Sequence, residues 1–434
     1  MTLRIVGEAR PNSFGFETQA LIKASGFREY DARWWFGHPA SSQPPELNLI
    51  GVQALGMGLG TLIRRLGAGP DIVTDHDFRS YSLSIKLALV SGLMAAGARV
   101  RDIGLALSPM AYFAQFALDT PSVAMVTASH NENGWTGVKM GAARPLTFGP
   151  QEMSALKAIV LAGDFDLPGG GAYEFVAGVR EIYLDDLTRD KRLGRDGDRC
   201  GVVDNEGKEI FADKVGVMLA RDISLLHPGS TFVTDVKSTG LFATDSVLKG
   251  HGAVIDYWKT GHSYIKRRVA ELGALAGFEK SGHFFFNPPI GRGYDDGLAT
   301  AIAVCEMLDR NPKRSMADLY RTLPLTFGTP TMSAHCADEV KYGVVDRVVA
   351  DFQAMQRKGE AFAGHKIAAL ITVNGVRVVA EDGTWGLVRA SSNKPELVVV
   401  VESPVSSRRR RQMFEAVDAV LRRSPEVGAY NQTF

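Results

Sequence analysis

Cysteine is scarce: Cys200, Cys305 and Cys336 are the only three in 434 residues. So few, and so far apart, they exclude a disulfide framework and a cysteine-held zinc cluster. No run of about 18 apolar residues occurs, so the sequence predicts no membrane-spanning helix. An excess of one charge is also missing: 49 Lys and Arg face 48 Asp and Glu, a formal net charge of +1. That balance carries no global attraction to nucleic acid or anionic membrane, so neither is expected as a partner and any phosphate site must be local. The opening residues lack the basic-then-apolar layout of a signal peptide. With reduced cysteines, this makes a cytoplasmic protein the expectation. No repeat or low-complexity tract stands out.

What is present is globular. At 45% hydrophobic and 22% charged residues, the length predicts two to four domains, at about 100–200 residues each. Short β-branched runs alternate with helical patterns. Asp71–Thr74, Ser122–Val126, Thr231–Asp235 and Ala253–Tyr257 read as strands, and Leu83–Ala96 and Tyr264–Leu272 as helices. The alternation predicts βαβ units around mixed or largely parallel sheets, with ligands beyond the carboxyl ends of strands. The Gly169-Gly170-Gly171 run after Pro168 is a plausible boundary or turn. From about Thr326 the pattern becomes a small α+β domain: a helix over Val340–Gln356, strands over Ala368–Val373, Val376–Ala380, Trp385–Val388 and Leu397–Val401, and a helix over Gln412–Arg423. Arg408 to Arg411 reads as a solvated helix start.

Several polar loops carry candidate chemistry. The stretch Val126 to Gly141 leads from a strand into Ser129-His130, and Lys139 follows ten residues after Ser129. A serine is a nucleophile only when activated or pre-loaded, and a lysine can stabilise a phosphoryl group. Read from residue types alone, an ordinary polar turn is the favoured reading. Arg195-Asp196-Gly-Asp198-Arg199 can point two hard carboxylates at one divalent ion, for which magnesium suits, or be an acidic surface loop. Lys237 ends one strand, and Lys259-Thr-Gly-His262-Ser263 opens a helix whose N-terminus favours an anion. Glu279-Lys-Ser281-Gly-His283 groups a carboxylate, a hydroxyl and an imidazole, which suits a sugar: one accepts from hydroxyls and one moves a proton. Arg389-Ala-Ser391-Ser392-Asn393-Lys-Pro395, between two strands, is a phosphate cradle or a polar hairpin loop.

Taken together and in this order, these loops resemble the α-D-phosphohexomutase superfamily, and most closely its phosphomannomutase/phosphoglucomutase branch. The resemblance runs from Phe27-Arg-Glu-Tyr-Asp-Ala-Arg33 to Pro395. It implies a multi-domain α/β fold: three α/β domains and a C-terminal α+β lid around a central cleft. The expected divisions are 1–154, 155–210, 211–325 and 326–434. It implies interconversion of a hexose 1-phosphate and a hexose 6-phosphate through phospho-Ser129 and a hexose 1,6-bisphosphate, which also serves as activator. Catalytic positions are then Ser129, His130, Lys139, Arg33 and His283. Substrate contacts are Tyr30, Arg199, Lys237, His262, Glu279, Ser281, Arg389, Ser391, Ser392 and Asn393. One Mg2+ is implied on Asp196, Asp198 and a phosphate oxygen on Ser129. The implied partner is a small sugar phosphate, and the protein itself a monomer or homodimer.

The chain departs from the family pattern in places. Gly194 stands where the metal loop normally has its first aspartate, and Arg195 where a glycine follows. Fewer carboxylates mean weaker magnesium binding. The second domain spans roughly 35 residues between Phe175 and Ile210, or about 55 counted from Ala155, against ordinary domains of about 50–200, and reads as an internal deletion. Glu132, Thr136, Phe278 and Lys280 also differ from the common family residues. The alternative reading is a non-catalytic sugar-phosphate binder.

Overall fold

The computed structural model describes residues 3–188 and 198–432. They form two compact units, Met1–Asp198 and Arg199–Phe434.

The first unit is built on a six-stranded mixed sheet. Its strands are β1 (Ala32–Trp35), β2 (Asp71–His76), β3 (Arg99–Leu105), β4 (Ser122–Val126), β5 (Trp135–Gly141) and β6 (Ala172–Phe175), in the order β1-β5-β4-β2-β3-β6. β2 pairs in parallel with β3 and β4, and β6 in parallel with β3, whereas β5 runs antiparallel to β4 and β1. β4 is buried along its whole length, as its Ser-Val-Ala-Met-Val sequence requires of a strand covered on both faces.

Helices α1 (Leu49–Arg65), α2 (Ser82–Ala95), α3 (Ser108–Ala117), α4 (Pro150–Ala162) and α5 (Val179–Thr188) accompany the sheet. Leu55, Leu59, Leu89, Leu93 and Leu156 pack with Ile72, Val126 and Val138 in one core. Each such fully buried side chain contributes about 1.5–3 kcal/mol. α1 and α2 approach closely through glycines. A Cβ on Gly56 would lie 2.2 Å from the Leu89 carbonyl, and one on Gly92 2.0 Å from that of Gln53. The Gly169–Gly171 run leads into β6, an edge strand of the same sheet.

Among the described residues the second unit contains two larger sheets and a two-stranded antiparallel pair, Val202–Val203 with Glu209–Ile210. The first has β7 (Thr231–Asp235), β8 (Val254–Trp258), β9 (Ala276–Phe278) and β10 (Phe284–Phe286) in the order β8-β7-β9-β10, with only β10 antiparallel. α6 (Ala212–Leu226), α7 (His262–Leu272) and α8 (Gly297–Asp309) flank it. The other is an antiparallel six-stranded sheet of β11 (Phe327–Gly328), β12 (Met332–His335), β13 (Ile367–Ile371), β14 (Val376–Ala380), β15 (Trp385–Ala390) and β16 (Glu396–Ser403). α9 (Lys341–Lys358) and α10 (Ser407–Leu421) pack on it around Val344, Phe352, Met413 and Val417.

The arginine run starts a helix with Arg408 and Arg411 exposed, as expected, but Arg409 is not solvated. α10 already begins at Ser407, and Arg409 is buried against Asp382 and donates to the Ala363 carbonyl. No helix among the described residues is long and apolar enough to cross a membrane.

Within this unit the two sheets are joined by a buried polar cluster. Lys214 Nζ on α6 donates to Glu402 on β16 at 2.7 Å, and Thr239 and the Gly240 N–H donate to the same carboxylate. Burial alone would raise the Glu402 carboxyl, but Lys214 and these donors lower it to about 2.

Candidate active site

In the first unit, the loop from β4 to β5 carries Ser129. Ser129 is in the left-handed region at φ 53°, which costs a non-glycine residue about 1 kcal/mol or more. Its surroundings enforce that conformation. The Ser129 N–H donates to Thr127 Oγ1 at 3.0 Å, and the Asn131 N–H to the Ala128 carbonyl at 3.0 Å. Ser129 Oγ lies 3.4 Å from His130 Nδ1.

Arg33, on β1, is nine-tenths buried and donates from Nε and Nη2 to Asp31 Oδ2 at 3.1 and 2.9 Å. Its Nη1 donates to the Ala128 carbonyl at 3.2 Å and to Asn131 Oδ1 at 2.5 Å. Burial opposes the Arg33 charge, but Asp31 outweighs it and raises the guanidinium above its ordinary value. Gly137, opposite Arg33, is required: a Cβ there would lie 2.2 Å from the Ala32 carbonyl. Tyr30 is buried beside this segment.

Lys139, on β5, donates to Ser108 Oγ at 3.1 Å and to Asp198 Oδ2 at 3.2 Å. Asp196 lies outside the described residues, as do Gly194 and Arg195. Asp198 and Ser129 offer hard oxygens of the kind Mg2+ takes, so the donors present fit that ion.

In the second unit, Lys237 is buried just beyond β7, 3.5 Å from Asp235. Burial lowers its ammonium below the usual lysine range, with Arg389 adding to the effect while Asp235 and Glu279 oppose it. Glu279 accepts from the Gly261 N–H and from Ser281 Oγ, both at 2.8 Å. The turn Glu279–Gly282 closes on a glycine at φ 91°, and the Cys200 N–H donates to the Gly282 carbonyl at 3.2 Å, which sets Arg199 beside the loop.

His283 Nδ1 is 2.9 Å from Asp295 Oδ2, and Lys266 Nζ is 3.2 Å from Asp295 Oδ1. Because a carboxylate only accepts, Nδ1 carries the proton and Nε2 is the basic nitrogen. Burial alone would raise the Asp295 carboxyl, but Lys266 and His283 hold it well below the usual range. His262 begins α7, its ring 6.1 Å from that of His283.

Arg389, at the end of β15, donates to the Ala390 carbonyl at 2.7 Å. Ser391 Oγ accepts from the N–H groups of Asn393 and Lys394, which folds Ser391, Ser392 and Asn393 into one tight turn. Buried Lys341, on α9, donates to the Ser391 and Lys394 carbonyls at 2.6 and 3.0 Å.

Sequence reasoning missed Asp31, Arg79, Asp295 and Lys341. Only two left a signal. Asp77-Phe-Arg79 directly follows a buried strand, where ligand loops sit. Asp295-Asp296 precedes an apolar helix that Asp296 caps, leaving Asp295 for another task.

The description "Phosphoglucomutase/phosphomannomutase, alpha/beta/alpha domain I" matches residues 25–167. Domain III of the same family matches residues 211–327, and its C-terminal domain residues 340–420. The chain is 28% identical to a phosphomannomutase/phosphoglucomutase of Pseudomonas putida, over 94% of this chain and 98% of that one. It is 28% identical to a phosphoglucomutase of Neisseria meningitidis, over 75% of this chain and 84% of that one. The crystal structure of a phosphoglucomutase/phosphomannomutase family protein from Burkholderia thailandensis shares its fold, with a TM-score of 0.78 at 24% identity, covering 95% of this chain and 100% of that one.

Proposed function

The chain belongs to the α-D-phosphohexomutase superfamily and is a phosphohexomutase; from that premise we propose that it interconverts the 1- and 6-phosphates of mannose, glucose or both through phospho-Ser129. The observation that carries this reading is the Ser129 loop itself, a strained serine held from behind by buried guanidinium groups. A hexose 1,6-bisphosphate is the intermediate and the activator. Phosphoryl transfer needs alignment and charge neutralisation more than covalent chemistry, and this loop supports both.

In each unit the residues keep the roles that the resemblance implies. In the first, Ser129 carries the phosphoryl group, with Lys139 and Arg33 as its cations, His130 adjacent and Tyr30 on the substrate side. Asp196, Asp198 and a phosphoryl oxygen on Ser129 would hold Mg2+, which when bound neutralises charge on the transferring group. In the second, Glu279 and Ser281 read sugar hydroxyls. Arg199, Lys237 and His262 contact the substrate, and Arg389, Ser391, Ser392 and Asn393 hold the phosphate that is not transferred. His283 takes the proton of the attacking hydroxyl on Nε2, with Nδ1 fixed by Asp295.

The four-part division at residues 154, 210 and 325 belongs to this reading, with a shortened second α/β segment. Two facts support the shortening. The family matches leave residues 168–210 between domains I and III. The alignment with the Pseudomonas putida protein runs over 480 positions, longer than the 434 residues here, so gaps fall on this side.

A coupled assay of hexose 1-phosphate to 6-phosphate conversion tests the function. Turnover that vanishes in Ser129→Ala, at least about 1000-fold below the parent, is expected. An unchanged rate in that variant, or ligand binding without turnover in the parent, contradicts it.

A further inference from the structure

Arg79 lies outside every motif singled out in the sequence, yet it is buried and aimed at the Ser129 loop. It follows β2 and precedes α2, 8% exposed. Its Nη2 donates to the Ser129 carbonyl at 3.1 Å and to the Asn131 carbonyl at 2.6 Å. Its Nη1 pairs with Asp77 Oδ2. Asp77 is itself fixed: its other oxygen accepts from the Arg79 N–H at 3.1 Å and from Ser82 Oγ at 2.7 Å, and its N–H donates to the Val126 carbonyl at 3.0 Å. Two residues on, Tyr81 Oη accepts from the Gly134 N–H at 2.7 Å and donates to the Trp135 carbonyl at 2.9 Å. One short segment, 77–82, therefore grips both ends of the loop.

We infer that Arg79 is the positioning residue that fixes the direction of the Ser129 side chain. The Cα of one residue carries both its carbonyl and its Cβ, so holding the Ser129 carbonyl in the left-handed conformation also fixes the direction of the Cα–Cβ bond, about which Oγ has only the three staggered positions of χ1. Arg79 acts through the backbone. The donors described go to two carbonyls and a carboxylate, and so it works from behind the loop, opposite in role to a cation that meets the phosphoryl group. A guanidinium suits this because its planar fork spans two carbonyls and a carboxylate at once and stays charged at every working pH. A lysine offers one point charge and cannot reproduce that spread.

The inference rests on the phosphoserine reading above, and the experiment separates the two. The parent, Arg79→Lys and Arg79→Met are incubated with glucose 1,6-bisphosphate and Mg2+, and phosphate arriving on Ser129 is timed by rapid quench and mass spectrometry. Steady-state kcat and KM are measured beside it. Arg79→Met is expected to load about 100-fold more slowly, the scale of a misplacement near 1 Å, with kcat falling in parallel and KM changing less than about threefold. Arg79→Lys restores part of the rate. Loading at the parental rate in either variant overturns the inference. If Arg79→Met does not fold, the Arg79→Lys rate alone decides: about three- to tenfold slower loading supports it, and parental loading refutes it. A parent that never takes phosphate on Ser129 defeats the phosphoserine reading instead, a result distinguishable from either variant outcome.

Discussion

The Ser129 loop of the first unit and the 389–395 loop of the second have the same architecture behind them but different grips. Both turn their backbone carbonyls toward a buried cation contributed by a distant part of the chain. The Ser129 loop has two guanidinium groups, Arg33 on the Ala128 carbonyl and Arg79 on those of Ser129 and Asn131. The 389–395 loop has one ammonium, Lys341, on the carbonyls of Ser391 and Lys394, and closes the rest with its own serine. The first loop also holds a non-glycine residue at positive φ. The difference teaches that the loop assigned a covalent change of charge is pre-set rigidly by always-charged forks, whereas the loop assigned to grip and release is set by local turn chemistry and one point charge.

The largest expected effect comes from breaking the rigid grip. Arg33→Met leaves Asp31, 1% exposed, without its partner. The first unit should lose about 3–5 kcal/mol in denaturant unfolding, and kcat should fall about 100-fold. A variant as stable and as active as the parent would show that the two loops are gripped no differently. Breaking the softer grip should act on binding. Lys341→Met is expected to raise KM for sugar phosphates about tenfold while kcat stays within about threefold, the pattern of lost uniform binding. A collapse of kcat with constant KM would instead make this loop part of the transferring apparatus.

The smallest effect on activity comes from Glu402, on the strand that leaves the 389–395 loop. Its folded carboxyl sits at about 2, below its unfolded value. The stability it contributes is therefore present above the ordinary glutamate range and is lost as pH falls toward about 2, worth about 3 kcal/mol. Urea midpoints of the parent and Glu402→Gln should differ most near neutrality and converge on acidification. A gap that stays constant down to about pH 3 would mean that Glu402 contributes no proton-linked stability.

Much of this was legible in the sequence because its causes are local. Strands β2, β4 and β7 announce themselves by short runs centred on β-branched and apolar residues, and the Asn374-Gly375 turn marks the hairpin between β13 and β14. The Ser129 and Glu279 loops stand out because polar clusters follow β4 and β9. What stayed illegible acts at a distance and through the backbone. Within the first unit Arg79 reaches a carbonyl 50 residues away, and within the second Lys341 does the same; neither belongs to a motif of its own. The Gly169–Gly171 run leaves boundary and turn both open for a related reason. Glycines mark a bend, but whether the chain then leaves the sheet or joins its edge depends on whether β3 has a free edge to offer. Arg409 reads as solvated because its partner Asp382 is far away in sequence.

The most direct test is the mass of the intact protein and of its Ser129 peptide after incubation with glucose 1,6-bisphosphate and Mg2+. Addition of about 80 Da, confined to Ser129 and absent from Ser129→Ala, is the predicted result. A folded protein that stays unmodified, or carries the phosphate on another residue, would contradict the account.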